Sequence, residues 1–151
     1  MRIRFVFALA SALMLFADGV FAGPKEDIAA ATASLSEALA QNDPDRVVSL
    51  YAADAVLWGT ASPKVRSDRA AVREYFVGVF KAAPGVKLSF SEQLIRVYGN
   101  TAVNTGSYTF SYSKDGELKT LAARYSLVFV KDGQTWLIVD HHSSAMPAPP
   151  R

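Results

Sequence analysis

The sequence contains no cysteine. Disulfides, thiolate metal sites, thiol nucleophiles and thiol redox chemistry are therefore excluded together, and whatever stability the chain has comes from packing. Histidine is nearly as scarce, with only two, His141 and His142, adjacent to each other. Two neighbouring histidines without further nearby ligands make a poor metal site, so no metal is expected. A dominant charge is also missing. Residues 1–22 contain Arg2, Arg4 and Asp18, and without them 14 basic residues face 13 acidic ones. That balance gives no electrostatic case for nucleic acid or for an anionic membrane surface. There is no glycine-rich phosphate loop, no dinucleotide fingerprint and no internal repeat, and no cofactor is implied.

What is present starts with an export signal. Arg2 and Arg4 precede a largely apolar run from Phe5 to Phe16, and the segment ends at Val20-Phe21-Ala22 with small residues at its last and third-last positions. This pattern predicts a signal peptide over 1–22, cleaved after Ala22, and a periplasmic or secreted product. A twelve-residue run is too short to cross a bilayer core that needs about 20, so no membrane attachment is expected after cleavage. The remaining 129 residues from Gly23 to Arg151 suffice for one domain, taken as 23–147. Residues 148–151 are expected to form a disordered tail, since Ala145–Arg151 holds three prolines.

Within the domain, Ile28, Ala31, Leu35, Ala38 and Leu39 recur at helical spacing and predict a first helix over 25–41. Asp43 and Pro44 cap and open a short second helix that runs through Tyr51, and Ala55–Trp58 is extended. Ser67 or Asp68 caps a third helix carrying Val72, Tyr75, Phe76, Val79 and Phe80. After Gly85 the apolar period changes to two, and turns at Gly99-Asn100, Asp115-Gly116 and Asp132-Gly133 separate four long strands in an antiparallel meander. The fold class is thus α+β. Trp136 and Ile138 face one way and Leu137 and Val139 the other, so the sheet needs a cover on both sides, which predicts self-association as a homodimer or larger even oligomer.

The candidate site sits at the chain's end. By strand alternation His141 and Ser143 share one face, and His142 and Ser144 the other. Arg124, inside the apolar segment Ala123–Val130, needs an acceptor because it cannot deprotonate: either a carboxylate such as Asp140 or Glu92, or an anionic ligand. Tyr108, Phe110 and Tyr112 form an aromatic wall to which Trp58 and Tyr51 can contribute. Asp54 suits a turn or cap, or a base.

The order of elements, with Arg73-Glu74-Tyr75-Phe76, Arg124 and the phrase Asp132-Gly133-x-x-Trp136-x-Ile138-Val139-x-x-His142-x-Ser144-x-x-Pro147, resembles the nuclear-transport-factor-2-like superfamily. Within it the pattern is most like SnoaL-like proteins and the association (hub) domain of calcium/calmodulin-dependent protein kinase II and its free-standing bacterial relatives. The resemblance implies a cone in which a curved antiparallel sheet wraps around the N-terminal helices and pairs through its outer face, with a pocket that arginines line in the kinase hub. Arg124 matches one of these arginines, whereas Tyr108 and Ser143 stand where two others are expected. The expected ligand-binding residues are Arg124, His141, Tyr108, Ser143 and Trp58. Two functions follow: an exported binding or assembly module for a small organic, in one form anionic, ligand, or a cofactor-free SnoaL-type enzyme performing proton transfer, cyclisation or hydrolysis on a hydrophobic substrate.

Overall fold

A computed structural model describes residues 23–148; residues 1–22, where the signal peptide is expected, and 149–151 of the expected tail lie outside the described residues. Helix α1 spans Pro24–Ala40, α2 Pro44–Val48 and α3 Arg69–Ala82. Strand β1 spans Tyr51–Trp58, followed after α3 by β2 Lys87–Tyr98, β3 Thr101–Lys114, β4 Glu117–Asp132 and β5 Thr135–Ala145. The caps fall where the sequence puts them. Asp43 accepts from the backbone N–H of Asp45 and Arg46 at 2.9 and 3.2 Å, and Asp68 accepts from that of Ala71 at 2.8 Å. The second helix is shorter than expected: it stops at Val48, and Tyr51 opens β1 instead of closing α2. Tertiary pairing decides this, because Ile138 donates its backbone N–H to the Leu50 carbonyl and Tyr51 pairs with Ile138 across the sheet.

The sheet order is β1-β5-β4-β3-β2. β2 to β5 form the expected antiparallel meander, and β1 adds to β5 in parallel, so the sheet is mixed. The β3–β4 turn places Asp115 and Gly116 at φ 54° and 78°, the left-handed pair that a two-residue hairpin requires. On its inner face the sheet packs Tyr108, Ala123, Tyr125, Leu127, Phe129 and Ile138 against Ile28, Leu35, Ala38 and Leu39 of α1 and Val72 and Phe76 of α3.

The pairing register shifts at three places, in β1 between Tyr51 and Val56, in β2 and in β5, and the last two shape the site. One interrupts β2 between Phe90 and Gln93, and there Gly106 of β3 lies so close that a β-carbon would stand 1.8 Å from the Glu92 carbonyl oxygen. The other interrupts β5. Phe129 pairs with Ile138 but Val128 pairs with Asp140, leaving Val139 as the extra residue. Strict alternation from Ile138 would have carried Asp140 and His142 inward; the bulge resets the parity, and His141 and Ser143 are buried while His142 is exposed.

Candidate functional site

The inward residues of β5 meet β1, β3 and the loop after β1. Tyr51, fully buried, brings its hydroxyl to 2.8 Å from His141 Nδ1, with its ring tilted 25° from the imidazole at a centroid distance of 6.2 Å. The Tyr108 hydroxyl lies 3.4 Å from His141 Nε2 and donates to Ser143 Oγ, which is itself hydrogen-bonded to Thr60 Oγ1. One assignment satisfies every group. Tyr51 O–H donates to Nδ1, Nε2–H donates to the Tyr108 oxygen, Tyr108 O–H donates to Ser143, and Ser143 donates to Thr60. The run ends with the Thr60 hydroxyl proton free to donate onward.

The whole relay is uncharged. Burial, reinforced by the charge of nearby His142, pushes the His141 imidazole down to about 3, so it is neutral at ordinary pH. Burial likewise raises Tyr51 and Tyr108 well above the ordinary phenol range, with the Ser143 and Thr60 hydrogen bonds opposing the shift at Tyr108.

Beside this chain lies a small chamber of ≈ 30 Å³, lined among others by Leu57, Thr60, Phe76, Leu88, His141 and Ser143, with room for about one water. A wider recess of ≈ 240 Å³ adjoins it, walled by Val86, Phe110, Tyr112 and Leu121 and rimmed by Lys114. Thr60, Tyr75, Val79 and Phe110 line both, so they form the neck between them. Gly59 is required there, because a β-carbon on it would come within 2.3 Å of the Tyr75 ring. A larger depression of ≈ 640 Å³ between α1 and β2 is a surface groove of Lys25, Glu26, Gln93, Leu94 and Arg96, and no buried polar group converges on it. The smaller cavity is therefore the better candidate site.

Of the five expected ligand-binding residues, Tyr108, His141 and Ser143 converge here. Arg124 and Trp58 do not. Arg124 lies on the outer face of the sheet, opposite Ser144, and its Nε donates to Ser144 Oγ at 3.2 Å. The expectation of an arginine inside the cavity is corrected, for the neighbouring Tyr125 takes the inward position. Neither Asp140 nor Glu92 pairs with it among the described residues. Trp58, 46% exposed, pairs in register with His142 on that same outer face. Asp54 is exposed within β1 and caps nothing. The residues that sequence reasoning missed are Thr60 and Tyr75, with Tyr51 found only as aromatic wall. The one sequence sign of the first two was Gly59 in the loop behind Trp58.

The comparisons with known proteins agree with this architecture. Residues 28–149 match the family model described as the SnoaL-like domain. The chain belongs to that family. A structure from Xanthomonas campestris, provisionally named as a calcium/calmodulin-dependent protein kinase II association domain, is 35% identical, with a TM-score of 0.76 over 94% of this chain and 99% of that one. A provisionally named dehydratase of the nuclear transport factor 2-like family from Streptomyces avermitilis shares the fold at 20% identity and TM-score 0.74, covering 82% and 97% of the two chains. The kinase II hub of S. rosetta shares it at 21% identity and TM-score 0.68, covering 84% and 100%. No curated protein matches the chain.

Proposed function

We propose that the protein is an exported binding module whose cone takes a small, mostly apolar molecule bearing one neutral hydrogen-bond acceptor. The observation that carries this is the uncharged relay ending at Thr60 in the neck of an apolar recess. An acceptor on the ligand completes the relay's last donor, and Phe110, Tyr112, Val79 and Leu121 cover the apolar body. Among the described residues no arginine lines the recess or the chamber, and Lys114 at the rim is the one cationic residue in the lining.

A second reading, a cofactor-free enzyme, is supported by the imidazole held between two phenol hydroxyls, an arrangement able to pass a proton along its length. It ranks below binding, because an imidazole held near 3 is a weak base at neutral pH and no carboxylate lines the neck among the described residues.

Native mass spectrometry of the purified protein with a panel of small ketones, phenols and alcohols tests the binding reading. Val79→Trp, which fills the neck from α3, should abolish complexes while leaving the circular dichroism spectrum unchanged. Retained binding in that variant would place the ligand elsewhere.

Export and self-association belong to the same proposal. The Arg2 to Ala22 pattern supports cleavage before Gly23. For assembly, Val56, Val103, Val128, Val130 and Leu137 lie half-buried on the outer sheet face, an apolar area that a second copy would cover, and relatives bear the names association domain and hub.

A further inference from the structure

The residues that the cavity leaves out form a cluster of their own. Arg124, Ser126, His142 and Ser144 line a recess of ≈ 420 Å³ on the outer face, with Thr105 completing it from β3. The sheet register brings them together: Arg124 stands opposite Ser144 and Ser126 opposite His142 on β5, Thr105 is opposite Ser126, and Trp58 of β1 pairs with His142. Directly opposed side chains in an antiparallel pair start about 5 Å apart, so these polar tips can serve one small group.

All of these side chains can donate. The Arg124 guanidinium is steadied by its Nε contact with Ser144, and its two terminal NH₂ groups have no acceptor among the described residues. His142 offers a ring N–H whichever protonation state it holds, and three hydroxyls adjoin. No carboxylate lines the recess. Asp140, an acid on this face, sits one row further along β5 in the row of Val56, Val128 and Val103, with Arg96 at that row's far end on β2. The apolar half of the face begins with that row, so the polar recess lies at the margin of the surface proposed for self-association.

We infer that this recess, facing away from the cone, is a second binding site, taking a small oxyanion, with Arg124 as the bidentate anchor and His142, Ser126 and Ser144 as flanking donors. The planar fork of two terminal NH₂ groups matches a carboxylate or phosphate edge, which a single lysine would not. The shared chemistry is the oxyanion; a free phosphate and an organic carboxylate are its two sources.

The test uses the full exported protein at neutral pH and constant ionic strength, with chloride as the balancing anion. Inorganic phosphate and acetate are titrated separately while the His142 ring signals are followed by NMR and the melting temperature is recorded. Binding of either anion should move the His142 signals and raise the melting temperature, and the anion that does so identifies the source. Arg124→Gln should weaken the apparent affinity about tenfold or more, as expected for loss of a charge-assisted contact. Arg124 is exposed, so the variant keeps its fold. Val79→Trp, which blocks the cone, should leave the anion response intact. No response to either anion, or an equal response in Arg124→Gln, overturns the site.

Discussion

Tyr51 and His141, ninety positions apart in the chain, meet through a 2.8 Å hydrogen bond in the interior where β1 lies parallel to β5. With Tyr51 as the donor, Nδ1 accepts and Nε2–H is left for Tyr108, so in this assignment the polarity of the relay is set from its buried end. Tyr51→Phe keeps the ring that packs against Phe76, at a centroid distance of 6.0 Å, but leaves Nδ1 without a donor. An unsatisfied buried acceptor costs about 1–3 kcal/mol, and urea unfolding should show a loss of that size with an unchanged m-value.

The same burial makes stability depend on acidity. His141 stays neutral in the fold down to about pH 3, whereas in the unfolded chain it takes up a proton near 6.5. The unfolded state therefore binds more protons throughout that window, and stability falls as pH drops through it, by about 1.4 kcal/mol per unit from this group alone. Above 6.5 both states are neutral and the contribution is flat. Denaturation midpoints between pH 6 and 4 should show this slope, and His141→Phe should reduce it.

The meander, the caps at Asp43 and Asp68 and the helical faces of α1 and α3 were legible in the sequence because each is written in local spacing. The site was half legible. Alternation correctly paired His141 with Ser143, but which pair faced inward depended on the extra residue Val139, and nothing in a run of apolar residues marks a bulge. Arg124 shows the opposite limit. An arginine in an apolar strand reads as buried, yet the outer face of this sheet is itself apolar, so hydrophobic neighbours do not report which side a residue takes.

Arg124→Met should therefore cost well under about 1 kcal/mol in a thermal or urea melt, the usual range for exposed positions. A loss of about 3–5 kcal/mol would mean that the guanidinium is buried against a carboxylate instead.

Two glycines give a contrast that needs no ligand. Gly106→Ala drives a β-carbon into the Glu92 carbonyl at the β2 bulge and should cost about 1–3 kcal/mol or more. Gly78, in the middle of α3 with open space where its β-carbon would go, should gain about 0.5–1 kcal/mol on replacement by alanine. Melts of the two variants should move in opposite directions.

Export is checked by mass. The protein recovered from the periplasm or medium should begin at Gly23, and retention of residues 1–22 would contradict the signal.

Self-association gives the most demanding test, since it turns on one face of one sheet. Val130 and Leu137 are paired across β4 and β5 on the outer side, within the apolar half and away from the recess of Arg124. Leu137→Lys places a charge within that apolar half while the inner neighbours Trp136 and Ile138 remain untouched. Buried in an interface without a partner, the ammonium costs several kcal/mol, far more than its effect on a solvated face of an isolated subunit. Light scattering at micromolar concentration should thus report an even multiple of the subunit mass for the parent protein and a monomer for Leu137→Lys. The anion response at Arg124 should survive in that monomer, because every residue of the recess comes from a single copy. An unchanged oligomer would move the interface off this face, and a parent that is already monomeric would remove the need for one.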